Sequence, residues 1–429
     1  MEAALLQQLN AGEFDNALQI LYGSTDRSRA AHVISAFLGQ FPEHAEQAEL
    51  FSAPGRTEIG GNHTDHQHGC VVCASVDLDM MACAAPNGSN EIHVCSEGYG
   101  TLTVSLDDLN PQDDERDSTA ALVRGVSAGV SALGYPVSGF DAYVQSNVLA
   151  GSGLSSSAAF EVLVGTILNR FFCANAIDSI AIAKISQMAE RDYYGKPCGL
   201  MDQMGSAFGG AVAIDFVDPE NPVVSLPGYD FNLSGHALCI IDSGSSHDDL
   251  TDDYAAVADE MASVAAFFDK RVLREVPEEV FRSGMNEVRA AAGDRAVLRA
   301  RHFYSENRRA GLEADALREG DFDRFLSLVN ESGLSSVCDL ENIWSPTHPN
   351  RQAVSLALSI GRELLGRKGA IRVHGGGFAG TVQAFVPNTL LEQFRLGIES
   401  VFGAGKCHVL HIRPVGGCAL RDLNTEKRG

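Results

Sequence analysis

Between Leu149 and Phe160 the chain reads L-A-G-S-G-L-S-S-S-A-A-F, with Gly151 and Gly153 followed by Ser155, Ser156 and Ser157. Those residue types suit an anion. Glycines let backbone N–H groups approach it without a side chain in the way, and a helix beginning at the serines adds open N–H groups and the positive end of its dipole. The loop lacks the lysine of a G-x-x-x-x-G-K-[ST] loop and the third glycine of a dinucleotide fingerprint, so it is neither of those. A phosphate cradle without lysine needs its charge neutralised otherwise, and Mg²⁺ held by a hydroxyl and a carboxylate would do so. The plain structural alternative is a serine-rich helix cap after a tight turn.

Two further clusters suggest chemistry. In the polar loop of residues 51–72, His63, His66, His68, Cys70 and Cys73 crowd together, yet Cys70 and Cys73 open a strand in which i and i+3 face opposite ways. With no second Cys/His pair downstream at zinc-module spacing, a structural metal there is not expected. His374-Gly375-Gly376-Gly377 resembles a lipase oxyanion segment, and Gly125 to Gly129 satisfies G-x-S-x-G around Ser127. In acyl hydrolases, however, the glycine segment precedes the nucleophile, and Ser127 falls in a helical pattern rather than at a strand-to-helix elbow.

The elements that must carry these loops are legible in outline. Residues 1–48 show apolar positions at helical spacing. A strand-like run precedes a turn at Pro54-Gly55, and another starts at Cys70. Residues 91–105 form a hairpin turning at Glu97-Gly98, Ser118 or Thr119 starts a helix, and Phe140 to Val148 is a strand delivering the chain to the Gly/Ser loop. Ala158 to Leu168 favours a buried helix, and a second helix from Asp178 or Ser179 carries Glu190 near its end. Composition shifts at Asp218-Pro219-Glu220-Asn221-Pro222. Beyond it come a strand over 237–242, several helices, a strand-turn-strand unit over 371–386, a helix near 389–401 and a strand over 408–412. Helices and strands without a regular βαβ beat indicate an α+β fold.

Composition narrows the function. At 429 residues with 45% apolar and 21% charged residues, the chain reads as a globular protein of two domains. Its formal net charge of −24 argues against nucleic-acid or anionic-membrane partners, so an anionic ligand needs a local site. There is no uninterrupted apolar run of membrane-spanning length and no basic leader, which makes a cytoplasmic location the expectation. The ten cysteines lie mostly in apolar strings, as buried reduced thiols do.

Taken together, P-G-R-x-x-x-x-G-x-H-T-D (54–65), G-x-G-L-S-S-S-A (151–158), C-G-x-M-D-Q (198–203) and G-G-G-F-x-G (375–380) resemble the GHMP kinase family and, within it, the galactokinases. That resemblance implies a two-domain architecture: an extension over 1–48, a ribosomal-protein-S5-domain-2-like domain over 49–217 and a ferredoxin-like domain over 218–429. It implies phosphorylation of the anomeric hydroxyl of D-galactose by ATP with Mg²⁺, with the sugar and ATP as small-molecule partners; the oligomeric state is left open by the sequence, a monomer being favoured. By position, Asp202 becomes the general base with Arg56 beside it. Asn62, His63, Asp65 and Tyr254 become sugar contacts. Gly151, Ser152, Gly153, Leu154, Ser155, Ser156 and Ser157 become the ATP loop, and Ser157 and Glu190 the Mg²⁺ ligands.

The match departs from the galactokinase pattern G-R-V-N-x-I-G-E-H-T-D-Y in one loop. Glu58 stands where Asn is usual, Asn62 where Glu is usual and His66 where Tyr is usual. The resemblance assigns the Glu to the sugar C6 hydroxyl, so Asn62 no longer repels a C6 carboxylate. Asp65-His66-Gln67 is similar to galacturonokinases. Against an acid substrate, the segment before Tyr254 is negative at Asp248, Asp249, Asp252 and Asp253, and no Arg or Lys is near in sequence; galactose is the expected substrate and galacturonic acid or another C6-modified hexose the alternative, with a non-catalytic sugar sensor as the third class.

Overall fold

The computed structural model describes residues 4–148, 153–245 and 250–424. Its first sheet contains β1 (Glu49–Gly60), β2 (Cys70–Pro86), β3 (Glu91–Ser96), β4 (Thr101–Ser105), β5 (Phe140–Ser146), β6 (Ala211–Asp215), β7 (Val223–Ser225) and β12 (Cys418–Ala419), and its second contains β8 (His236–Asp242), β9 (Ala370–Val373), β10 (Thr381–Pro387) and β11 (Cys407–Leu410). The first runs β12-β1-β2-β5-β3-β4, with β6 also on β2 and β7 on β6. The second runs β11-β8-β10-β9 and is antiparallel throughout.

β2 shows why the first sheet is buried on both sides. Its alternate residues Met80, Ala82 and Ala84 pack in one core with Val123 and Leu163, while Met81, Cys83 and Ala85 pack in another with Leu5, Leu9 and Phe37. The first partners sit on the helices α4 (Thr119–Ala132) and α5 (Ser156–Phe172), the second on α1 (Ala4–Asn10) and α3 (Ser28–Gln40), with α2 (Asp15–Tyr22) between them. The N-terminal helices thus cover one face of β1, β2 and β5. On the other side α6 (Ser179–Met188) and α7 (Met201–Phe208) pack with α5, and α7 and the turn after α6 carry site residues discussed below.

Two sequence expectations need correcting. Pro54-Gly55 is not a turn: β1 continues through it, with the register to β2 shifting between Pro54 and Arg56. The extra residues lie on the partner strand, where Val76 to Leu78 of β2 stand opposite Gly55, and Gly55 is needed there because a side chain would meet the Leu154 carbonyl oxygen at 2.8 Å. Nor does the chain leave the first sheet at Asp218. β7 still pairs with β6, and after the second sheet is complete β12 returns to pair with β1. That return is pinned at the buried Asp79 carboxylate, which accepts from Arg413 (3.1 Å), Tyr22 (2.6 Å), Arg29 and Ser52.

The helix Asp294–Glu319 packs on the first sheet and on the helix Phe322–Ser335, which in turn packs on β9 of the second. Ala310, Ala314 and Leu317 join the core of the first sheet, while Asn307 accepts the Cys70 N–H at 2.7 Å at the end of the loop between β1 and β2. The loop is therefore held from the second half of the chain.

Candidate active site

Arg56 and Asp202 are 146 positions apart and meet as a close pair: Nη2 lies 2.5 Å and Nε 2.7 Å from Asp202 Oδ1. Arg56 comes from β1, just past its register shift against β2, and Asp202 from the first turn of α7. The same arginine organises the Gly/Ser loop. Its backbone N–H donates to the Leu154 carbonyl at 3.0 Å and its guanidinium to the Gly153 carbonyl. Because trans peptides place N–H opposite C=O, the loop N–H groups of Leu154 and Ser155 point away from Arg56. Burial opposes ionisation of Asp202, but the Arg56 charge and hydrogen bonds, with one from the Ser155 hydroxyl, hold its carboxyl below the usual aspartate value. It is an ionised carboxylate at neutral pH with one oxygen engaged by Arg56.

Ser155 occupies the N-cap position of α5, with φ of 56°, yet its side chain makes no cap hydrogen bond. It turns to Asp202 instead, which corrects the expectation of a plain cap and leaves the first N–H groups of α5 to a ligand. Gly151 and Ser152 lie outside the described residues.

Ser157 Oγ donates to Glu190 Oε1 at 2.9 Å. Glu190 sits in the wide turn Ala189–Tyr194 that extends α6, and its side chain is only 2% exposed. Gln203, next to Asp202, donates through Nε2 to Glu190 Oε2 (2.8 Å) and to Glu161 Oε2 (3.1 Å). Glu161 Oε1 is buried without a partner in this cluster, and burial, then the Glu190 charge, pushes the Glu161 carboxyl well above the usual value. Ser157 and Glu190 set a hydroxyl and a carboxylate side by side, oxygen donors of the kind Mg²⁺ takes.

This pair opens onto a cavity of about 700 Å³. Ser156, Ser157 and Lys196 line it, together with Val94, Tyr99 and Leu102 of the β3–β4 hairpin. Sequence reading identified the hairpin but gave it no part in the site. Its only signal was an exposed aromatic, Tyr99, beside an otherwise ordinary turn. Lys196 was also missed, because it belongs to no motif.

The expected sugar contacts divide. Asp65 starts the short turn Asp65–Gln67 and lies against Gly199, where a side chain would stand 2.6 Å from its carboxylate oxygen. That places it three residues from the Asp202 end of α7. His63 is directed to the Gly376 carbonyl (2.9 Å) and Tyr254 to the Gly377 carbonyl (2.6 Å), with the Tyr254 ring edge-on to Phe378 at 5.3 Å. Both grip the glycine turn. Burial lowers the His63 pKa to about 3, so this imidazole is neutral. Of the segment preceding Tyr254, His247, Asp248 and Asp249 lie outside the described residues.

Asn62 is not placed as a sugar contact. Its amide donates to Glu58 Oε1 (3.0 Å) and to the Gly375 carbonyl (2.6 Å), and its oxygen accepts from Asn342 (2.9 Å). Both amide protons and the oxygen are committed inside the protein. Glu58 in turn is paired with the buried Arg372 at 2.6 Å. Amide and carboxylate have thus exchanged positions relative to the galactokinase pattern and remain in contact. A carboxylate at 62 would face Glu58 with Glu306 beyond it, since the Asn62 N–H already donates to Glu306 at 3.3 Å. Asn62→Glu is expected to cost at least ~2 kcal/mol of unfolding free energy. Part returns in Glu58→Asn/Asn62→Glu, as measured by urea denaturation; an Asn62→Glu protein as stable as the parent would contradict this arrangement.

Residues 121–210 match the GHMP kinases N terminal domain, and residues 35–86 match the galactokinase galactose-binding signature. The fold agrees over nearly the whole chain. A Lactococcus lactis galactokinase crystallised with galactose superimposes with a TM-score of 0.76 at 23% identity, covering 91% of this chain and 100% of that one. This chain has the GHMP kinase fold. Methanococcus jannaschii mevalonate kinase is similar as well, with a TM-score of 0.60 at 14% identity over 85% of this chain and 98% of that one.

Within the GHMP kinase fold the site residues sort by segment. The 121–210 match holds the Gly/Ser loop, Glu190 and Asp202, and the 35–86 match holds Arg56, Asn62, His63 and Asp65; Tyr254 lies outside both. The GHMP kinase framework also disposes of the hydrolase motifs. Ser127 is buried inside α4 and donates to its own helix at the Val123 carbonyl (2.8 Å), while His374 is buried between Thr57 (3.1 Å) and Thr381 (2.9 Å). Burial, then Arg56 and Arg372, lowers the His374 pKa to about 3. Neither group is a poised nucleophile or base.

Proposed function

We propose that this GHMP-fold chain is a sugar 1-kinase that transfers the γ-phosphoryl group of ATP to the anomeric hydroxyl of D-galactose. The observation that carries the reading is the Arg56–Asp202 pair, set between the Gly/Ser loop and the loop bearing Asp65. Asp202 accepts the C1 hydroxyl proton as the O1–P bond forms and the bond from the γ-phosphorus to the β,γ-bridging oxygen breaks, releasing ADP. Arg56 keeps Asp202 ionised and balances charge spreading onto the transferring group. The N–H groups of the 153–157 segment orient the phosphates, with the cavity reaching Tyr99 receiving the nucleoside. Ser157 and Glu190 would hold Mg²⁺, which when bound neutralises phosphate charge.

A second reading has one observation in its favour. Arg191, His66 and His68 line a cavity of about 370 Å³ together with Asp65 and Gly199. No Arg or Lys stands near the segment before Tyr254 in sequence, but folding brings Arg191 to this wall, where it would suit a C6 carboxylate. A coupled assay of ADP release over D-galactose, D-galacturonic acid, D-galactosamine and mevalonate separates the readings. Galactose is expected to give kcat/KM at least ~10-fold above the others, a margin that a few hydroxyl contacts supply. Turnover with galacturonic acid and none with galactose would transfer the assignment to the acid sugar.

A further inference from the structure

Lys196 has no role in any motif, yet it lines the same cavity as Ser156, Ser157 and Glu190. Gly195, with φ of 95°, closes the wide turn after α6, and the N–H groups of both Gly195 and Lys196 return to the Glu190 carbonyl (3.1 and 3.0 Å). The side chain then folds back over the same residue. Its Nζ donates to Glu190 Oε1 at 2.8 Å, the oxygen that also accepts from Ser157. Glu190 is 2% exposed and Lys196 57% exposed, so the ammonium sits on the open side of a buried carboxylate. Among the described residues lining this cavity, Lys196 is the one cation. Arg56 is already engaged by Asp202.

We propose that Lys196 is the phosphate-facing cation that the Gly/Ser loop itself lacks: it pairs with Glu190 while the cavity is empty and turns to the nucleotide phosphate oxygens when a divalent cation takes the Glu190 and Ser157 oxygens. The inference rests on the reading that this cavity takes ATP. Its physical basis is charge. A divalent cation on Glu190 Oε1 repels the ammonium from that oxygen, and a phosphate on the 153–157 N–H groups is the nearest new anion. A lysine on a flexible four-carbon stem, more than half exposed, is free to swing that far, whereas the chain's net charge of −24 offers an anion no help from a distance. Burial works against the Lys196 charge, but Glu190 and then Asp202 keep it firmly protonated.

Calorimetric titration of ADP and of adenosine, each with Mg²⁺, into the parent protein, Lys196→Ala and Lys196→Arg tests this directly. The expected result is adenosine affinity unchanged in all three, ADP affinity down ~10- to 100-fold in Lys196→Ala, and ADP affinity within ~3-fold of the parent in Lys196→Arg, the scale of one charged hydrogen-bond partner. ADP affinity unchanged in Lys196→Ala overturns the proposal alone. Equal losses for adenosine and ADP also overturn it, since they make Lys196 a support for Glu190 and the cavity wall. A parent protein that binds neither ligand sinks the ATP reading and this inference with it.

Discussion

Asp202→Asn is expected to lower kcat by ~10²–10⁴-fold, the usual worth of a positioned general base, with much less change in the KM for either substrate. Asparagine keeps the size of the side chain and can still accept from Arg56, so the α7 start and the Arg56 contacts to Gly153 and Leu154 survive. What it loses is the ability to take a proton. Circular dichroism and ADP binding should therefore match the parent protein, which separates a chemical defect from a folding one. A kcat within threefold of the parent would remove Asp202 from the chemical step.

The second large effect is expected from Arg56→Met. The guanidinium contributes the attraction that holds Asp202 below the usual aspartate value; without it, burial remains and pushes the carboxyl upward. The acid limb of kcat/KM should move to higher pH, so that activity lost on going from pH 8 to pH 6 is larger in the variant than in the parent. The turnover that remains at high pH should still be ~10²–10³-fold down, because a charge facing the transferring group is gone. In the parent the same pairing contributes to stability, and that contribution is also lost on the acid side. Asp202 has a folded pKa below its unfolded one, so the pair stabilises the fold fully above pH ~4 and loses that contribution as pH falls through the folded value. An Arg56→Met enzyme with the parent's pH profile would contradict the pairing as the cause.

Much of this site was legible in the chain because its residues sit in contiguous motifs whose types are dictated by backbone needs. Gly153 and the serines suit an anion loop or a serine-rich helix cap equally when taken alone, and the phosphate reading and the Arg56–Asp202 pairing followed from the resemblance once the motifs were in order. What stayed hidden depends on contacts between distant segments. Ser155 looked like a cap because serine favours that place, but a carboxylate across the site won its hydroxyl. Asn62 looked like a ligand because of its position, while Glu58, Gly375 and Asn342 had taken all its hydrogen bonds. Arg191 and Lys196 carried no motif, and only the turn that follows α6 brings them to the two cavities.

The same division holds for the fold. Period-2 and helical patterns located the long elements, from β2 to the helix Ser156–Phe172, since each buries a continuous apolar face. Pro54-Gly55 reads as a turn because Pro-Gly signals a break; the chain stays in β1 there, with the extra residues on β2 and the Leu154 carbonyl too close to Gly55 for a side chain. β12, two residues long, has too little sequence to announce itself; the buried Arg413–Asp79 pair beside it draws the end of the chain back to β1.

The central claim, phosphoryl transfer to an anomeric hydroxyl by the Asp202 site, is tested most directly by phosphorus and proton NMR of the product made from ATP, Mg²⁺ and D-galactose. The account predicts one ADP formed for each sugar phosphate, with the new phosphorus signal coupled to the anomeric proton and absent when Asp202→Asn replaces the parent protein. A phosphorus signal coupled to the C6 protons, or the same product from Asp202→Asn at the parent's rate, would contradict it.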